Sequence, residues 1–312
     1  MRLKPLCQRT KELYTPKGQL HASWLWIFQR APHRVFRRKP YAGTFLSAVR
    51  LTVPQWSRIV FTKIARDRKG LGNFSGALAA DHLRTVLENQ PRARLVVATG
   101  SSQFEVLEQL TKEKGIDWPR VDGFHLDEYL GLDRTHPASF CGYLATRFVD
   151  KVPIGSFHFL DGKSDCESVV AEASRLWSQA PIDLAMIGIG ENGHLAFNDP
   201  PADFQTTAIY HVVMLDEACR QQQVGEGWFP HLKDCPSQAI SMTINAILQS
   251  RKIICSVPDD RKAEAVALSV DGPITPAVPA SILQKHLDVT LVLDDSSAAK
   301  LSAIAKLHTQ RV

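Results

Sequence analysis

The chain has 312 residues, 44% of them apolar, and a formal net charge of +5. That length gives one large or two small domains, and no apolar run approaches the roughly 18 residues of a membrane-spanning helix. The charge is uneven, which excludes a uniformly basic nucleic-acid binder: residues 1–70 hold 16 Lys and Arg against Glu12 and Asp67, and the remainder holds 21 against 30 acids.

The basic pI therefore belongs to the N-terminal segment. ASWLWIF (22–28) is short for a signal-peptide core, and no small-residue cleavage site follows it clearly. RAPHRVFRRKP (30–40) has neither helical nor strand periodicity. Residues 1–56 are expected to form an unstructured basic extension, or to reflect a start assigned too early. A targeting peptide and an anion-binding arm are the competing readings. No nucleic-acid-binding module is recognisable in the segment. The six cysteines, Cys7, Cys141, Cys166, Cys219, Cys235 and Cys255, include no CxxC pair. Neither a zinc ribbon nor a thioredoxin-type site is implied. Reduced thiols in a cytoplasmic protein are expected.

A folded domain is expected over 57–312. ALAADHLRTVLEN (77–89) places Leu78, Ala79, Leu83, Val86 and Leu87 on one helical face. RLVVATG (94–100) reads as a short apolar strand. The next helix begins at SSQFE, where Ser102 and Glu105 suggest a capping box, and stops at Gly115. Between strand and helix, Gly100, Ser101 and Ser102 form a turn whose free N–H groups suit an anion. An ordinary strand-to-helix turn explains this motif equally well, and no GxxxxGK[ST] P-loop is present.

VDGFHL (121–126) is the second strand, followed by LDEYLGL (126–132). A carboxylate just past a buried strand has its pKa raised toward neutrality and can serve as a general base. Asp127 and Glu128 both qualify, and either could instead cap the next element. SFCGYLATRFVDKV (139–152) reads as a helix and FHFLDG (157–162) as a strand. SDCESVVAEASRLWSQA (164–180) is a helix with a second capping box, Ser164 and Glu167.

IDLAMI (182–187) runs into GIGENGHLAFNDP (188–200). Gly188, Gly190 and Gly193 suggest close approach of backbone to a ligand. His194 can shuttle a proton at physiological pH, with Asp199 placed to orient it. The glycine spacing fits a dinucleotide fingerprint, but two nearby prolines prevent the helix that must follow. Residues 200–237 then break the rhythm, and a long insertion of this kind suggests a lid. KIICSVP (252–258) and DVTLVLDD (288–295) are the last strands. Between them, Asp259 or Asp260 would cap a helix. That leaves Lys262 in its first turn, where a cation opposes the helix dipole; either it is simply solvated or it reaches a bound phosphate.

The alternation of short apolar strands with helices implies a three-layer α/β fold, a mostly parallel sheet covered by helices on both faces. The polar clusters lie at strand ends, where such sheets bind ligands. They read as a small phosphorylated substrate, a carboxylate base and a histidine shuttle. The histidines lack metal-ligand spacing, so no metal is expected.

ATGSS, LDEYLGL with HPASF, GIGENGHLAFNDP and the RKAEAV helix start together resemble the glucosamine-6-phosphate deaminase (isomerase) family, over roughly residues 57–305. The resemblance implies a Rossmann-like fold. It also implies conversion of glucosamine 6-phosphate and water to fructose 6-phosphate and ammonia, without metal or organic cofactor. By the same resemblance His194 assists ring opening and Asp127 moves the C2 proton toward C1. Gly100, Ser101, Ser102 and Lys262 hold the phosphate, and 200–237 is the lid. The sister family, 6-phosphogluconolactonase, would show Asp-Glu-Arg where this chain has Asp127-Glu128-Tyr129.

Three positions depart from the family pattern. Asn192 replaces an aspartate, leaving a residue that can hydrogen-bond the histidine ring but not stabilise it by charge. Asp199 replaces a glutamate one methylene longer, which puts its reach to His194 in question. TTAIY (206–210) lacks the lid arginine, for which Arg220 is the candidate substitute. Two rivals follow: a sugar-phosphate lactonase, and a non-catalytic sugar-phosphate sensor with the basic segment as effector arm. The expected partner is a phosphorylated amino sugar, with neither nucleic acid nor membrane, and self-association into a homo-oligomer stays open.

Overall fold

The computed structural model describes residues 61–312; the expectations for residues 1–56 lie outside them. In chain order the elements are β1 (Phe61–Ala65), α1 (Arg68–Asn89), β2 (Ala93–Val97), α2 (Phe104–Lys112), β3 (Val121–His125), β4 (Asp127–Tyr129), α3 (Phe140–Arg147), β5 (Ser156–His158), α4 (Cys166–Trp177), β6 (Leu184–Ile187), β7 (Tyr210–Met214), α5 (Glu217–Gly225), β8 (Gln238–Met242), α6 (Ile244–Leu248), β9 (Lys252–Val257), α7 (Ala263–Asp271), β10 (Val289–Asp294), α8 (Ala303–Leu307) and β11 (Thr309–Arg311).

Eight strands form one sheet in the order β11-β1-β10-β9-β6-β2-β3-β5, and every pairing in it is parallel. The central strands are buried along their whole length, as the unbroken apolar runs require. Successive side chains point to opposite faces. Leu95 and Val97 pack with Leu83, Leu107 and Leu144 of α1, α2 and α3. Val96 packs with Trp177, Ile247 and Val266 of α4, α6 and α7. The expected three layers are present.

The strand order reverses between β2 and β6. From β2 the chain steps outward through β3 to β5; from β6 it steps the other way through β9 to β10. The loops leaving β2 and β6 therefore diverge and leave a crevice at the carboxyl end of the sheet. ATGSS and GIGENGH are those two loops.

A second, antiparallel sheet has the order β4-β8-β7. It builds on the segment expected as a lid: β7 and α5 lie within 200–237. Tyr129, Phe140, Phe197 and Phe229 give it an aromatic core of its own, with ring centroids 4.9, 5.2 and 5.3 Å from Tyr129.

Both capping boxes are corrected. A 3₁₀ turn over Ser101–Gln103 precedes α2, so Ser102 sits inside a turn and no side chain caps the helix. Glu105 pairs with Arg68 at 2.8 Å instead. At α4 the cap moves one residue on: Asp165 accepts from the Ser168 N–H at 2.9 Å, and Ser164 donates to Asp161. The cap expected before Lys262 forms at Asp259, which accepts from the Arg261 N–H at 3.1 Å.

Candidate active site

A cavity of about 90 Å³ occupies the crevice. Gly100, Ser101, Ser102, Asp127, His194 and Lys262 all line it. They come from four separate segments, at the ends of β2, β3, β6 and β9. Asn192, Asp199 and Arg220 do not line it. The first two stand behind His194, and Arg220 is elsewhere.

Asp127 and Glu128 divide the two roles open to them. Glu128 is 1% exposed. It accepts from Ser139 Oγ and the Cys141 N–H, both at 2.8 Å, and from the Phe140 and Tyr129 N–H groups. It thus satisfies the free N–H groups that begin α3. Alternation along β4 turns Asp127 the other way, into the cavity wall. It is buried, and its Oδ1 has no hydrogen-bond partner. Burial pushes its carboxyl up to about 8; the Glu128 charge adds to the rise and a Thr99 hydrogen bond opposes it.

His194 Nδ1 lies 3.1 Å from Asp199 Oδ1, so the aspartate spans the gap despite its shorter side chain. The two are at ion-pair distance without a well-aimed hydrogen bond. Burial works to raise the Asp199 carboxyl, but the nearby His194 ring, with Asn192 and Cys219, holds it below the ordinary carboxylate range. The expectation that Asn192 bonds the histidine ring is corrected. Asn192 Oδ1 accepts from the His194 backbone N–H at 3.0 Å, and its Nδ2 donates to Asp199 at 3.0 Å. It ties loop and carboxylate together without touching the ring.

Gly188 and Gly190 line the cavity, as expected of backbone that approaches a ligand, whereas Gly193 does not. A Cβ on Gly190 would also stand 2.2 Å from His194 Nε2, so its missing side chain admits the imidazole. Gly193 has φ +84°, a left-handed turn that returns the chain so that His194 can fold back over Gly190.

One end of the cavity is formed by the Gly100–Ser102 turn and Lys262, which is 6% exposed. Lys262 Nζ lies 3.4 Å from Glu226 Oε1 and 3.8 Å from Glu191 Oε1. Arg220 does not fill the missing arginine's place. Its guanidinium donates to the carbonyls of Leu232 and Cys235, at 2.7 and 2.9 Å, because it points back into the loop that follows α5. What α5 does present to the cavity is Gln222, Gln223 and Glu226. Sequence reasoning missed all three: their helical spacing puts them together on one side of a turn but does not say what that side meets.

One cluster of metal-capable side chains lies outside the reach of the histidine spacing. His194, Asp199 and Cys219 place an imidazole nitrogen, a carboxylate oxygen and a sulfur within 4.8 Å of one another. Cys219 arrives from α5, 20 or more residues along, beyond the reach of any local spacing rule.

A family model described as glucosamine-6-phosphate isomerases/6-phosphogluconolactonase matches residues 66–292. The chain belongs to that family. Among curated glucosamine-6-phosphate deaminases, that of Exiguobacterium sibiricum is 38% identical over 217 residues, 67% of this chain and 82% of its own length. That of Oenococcus oeni is 33% identical over 245 residues, 78% and 98% of the two chains. A solved monomeric glucosamine-6-phosphate deaminase superposes with TM-score 0.70 at 30% identity, covering 77% of this chain and all of that one. A 6-phosphogluconolactonase from Shewanella baltica superposes with TM-score 0.63 at 19% identity, covering 77% and 99%; that likeness is one of fold. In this isomerase/lactonase family member, the cavity lies where the two diverging loops of the shared sheet meet.

Proposed function

We infer that this chain converts glucosamine 6-phosphate and water to fructose 6-phosphate and ammonia. The observation that carries the reading is one cavity lined by Asp127, His194, Ser101 and Lys262 together. A sugar phosphate anchored at Lys262 and the Ser101 turn would lie with its ring toward the histidine and the buried aspartate. The curated deaminases at 33–38% identity support the same assignment over the lactonase alternative.

His194, backed by Asp199, moves a proton between the anomeric hydroxyl and the ring oxygen and so opens the pyranose. Asp127 takes the C2 proton and returns it to C1. As the C2 proton leaves, O1 takes up a proton to give the enolamine; as C1 is protonated the nitrogen gives one up, so that C2 becomes an imine, which water hydrolyses to the ketose and ammonia. Asp127 must be ionised to accept the C2 proton. With its carboxyl raised to about 8, kcat/KM is expected to rise with pH and level off above that value. Cytoplasmic residence belongs to this reading, resting on free thiols at Cys141, Cys166, Cys219, Cys235 and Cys255. Among the described residues no helix is long and apolar enough to cross a membrane.

The test is a coupled assay on purified protein. Ammonia and fructose 6-phosphate should appear in equal amounts from glucosamine 6-phosphate, and Asp127→Asn should lower the rate at least about 100-fold. Hydrolysis of 6-phosphogluconolactone in their place would make the chain a lactonase.

A further inference from the structure

Glu226 is the one acid of the cavity wall that this mechanism does not use, beside Asp127. It caps the carboxyl end of α5, where a negative charge opposes the helix dipole. Its side chain is 7% exposed. Oε1 stands 3.4 Å from Lys262 Nζ, and Oε2 accepts from Ser101 Oγ at 3.5 Å. The carboxylate therefore lies between the two groups assigned to the phosphate. Within its own segment it is held more closely: Gln222 Nε2 donates to Oε1 at 2.8 Å and Trp228 Nε1 donates to Oε2 at 3.2 Å.

We propose that Glu226 is a specificity-determining residue that occupies the phosphate seat between Ser101 and Lys262, so that a substrate phosphate binds by displacing it from both. The proposal rests on the deaminase reading for the identity of the substrate, but the exchange itself needs only an anion. Three observations carry it. The cavity, at about 90 Å³, is well below the roughly 300 Å³ at which ligand pockets begin, and Glu226 is part of its lining. A phosphate dianion and a carboxylate cannot share one lysine without like-charge repulsion. The contacts to Ser101 and Lys262 are the longest that Glu226 makes, so they are the ones to give way.

The backbone permits the movement. Gly225 and Gly227 flank Glu226, a Cβ at either would meet open space, and Gly227 already has φ +82°. The space beside these two glycines lets the Glu226 side chain turn outward while the backbone bonds that end α5, from the Glu226 N–H to Gln222 and the Trp228 N–H to Gln223, stay in place. An uncharged sugar cannot displace Glu226 from Lys262, because it offers no anion in exchange. The seat thus selects for a phosphorylated sugar by more than attraction to one lysine.

The experiment titrates the full chain with inorganic phosphate by calorimetry, comparing wild type with Glu226→Gln, and follows tryptophan emission with Trp228→Phe as control. Glu226→Gln should bind phosphate at least about fivefold more tightly, since the competing charge is gone. Its KM for glucosamine 6-phosphate should fall in step. In wild type, phosphate should alter the emission as Glu226, the partner of the Trp228 indole N–H, leaves Ser101 and Lys262, and this change should vanish in Trp228→Phe. If Glu226→Gln is poorly folded, Glu226→Asp serves: it keeps the charge but draws it back from Lys262, and should also bind phosphate more tightly. Unchanged or weaker phosphate binding in a folded variant overturns the proposal. Failure of either protein to bind phosphate while deamination proceeds overturns it too, and leaves the reaction standing. Phosphate exchange as described, without deamination, upholds the proposal and removes the deaminase reading.

Discussion

Asp127 and Glu128 are adjacent acids on one strand with opposite surroundings. Glu128 meets four donors, whereas Asp127 Oδ1 meets none. The residues alone left base and cap open between them and only the family resemblance pointed to Asp127, because period-2 alternation tells that neighbours part company but not which faces the cavity. The split has a consequence for stability. In the fold the Asp127 carboxyl titrates at about 8 against an ordinary 3.8. A carboxyl raised in this way stabilises the fold fully below about pH 4, progressively less up to about pH 8, and no further above it. Asp127→Asn escapes that loss. Its Tm should match wild type near pH 4 and exceed it by at least about 3 °C at pH 9, by calorimetry at both values; equal Tm at pH 9 would mean that Asp127 ionises freely. Gly190 carries a second prediction at this scale. Gly190→Ala places a methyl 2.2 Å from His194 Nε2, so the ring must swing off Asp199. We expect kcat/KM to fall at least about tenfold, and undiminished activity would show the ring free to settle elsewhere.

At the scale of elements, the N-terminus of α3 depends on a side chain eleven residues upstream of its cap. Glu128→Ala would strand the Phe140 and Cys141 N–H groups and the Ser139 hydroxyl in a buried place, at a cost of at least about 3 kcal/mol in denaturant unfolding. A loss under about 1 kcal/mol would mean that water reaches these donors. The strands of the large sheet were legible because burial on both faces writes them as apolar runs. The two capping boxes were not, since a 3₁₀ turn at Ser101 and a one-residue shift at Asp165 are settled by the neighbouring loops. The insertion was legible only as an interruption. β7 is half exposed and alternates, and β4 is three residues long, so neither gives a strand signal alone. Arg220 shows the same limit. A cation in a lid reads as a phosphate ligand, yet its bonds to Leu232 and Cys235 make it a clasp for the loop after α5. Arg220→Ala should therefore speed proteolysis within 226–236 and leave phosphate affinity within about twofold. A much weaker phosphate affinity with proteolysis unchanged would return Arg220 to the seat.

At the scale of the molecule, the site exists because the strand order turns round between β2 and β6. Four loops that are distant in sequence converge there, and the small β4-β8-β7 sheet with α5 closes over them. Fold class and most of the lining residues could be read beforehand because each lies at the end of an apolar strand, where parallel sheets bind ligands. Glu226 and Cys219 could not, because they reach the site through the packing of α5, which no local pattern encodes. The account stands on one reaction taking place in this crevice. The measurement that tests it most directly is the stoichiometry of ammonia and fructose 6-phosphate formed from glucosamine 6-phosphate, with Asp127→Asn alongside. Equal yields, lost in the variant, are the predicted result. Equal yields that persist in Asp127→Asn would contradict the assignment of the base, and no release of either product would contradict the account as a whole.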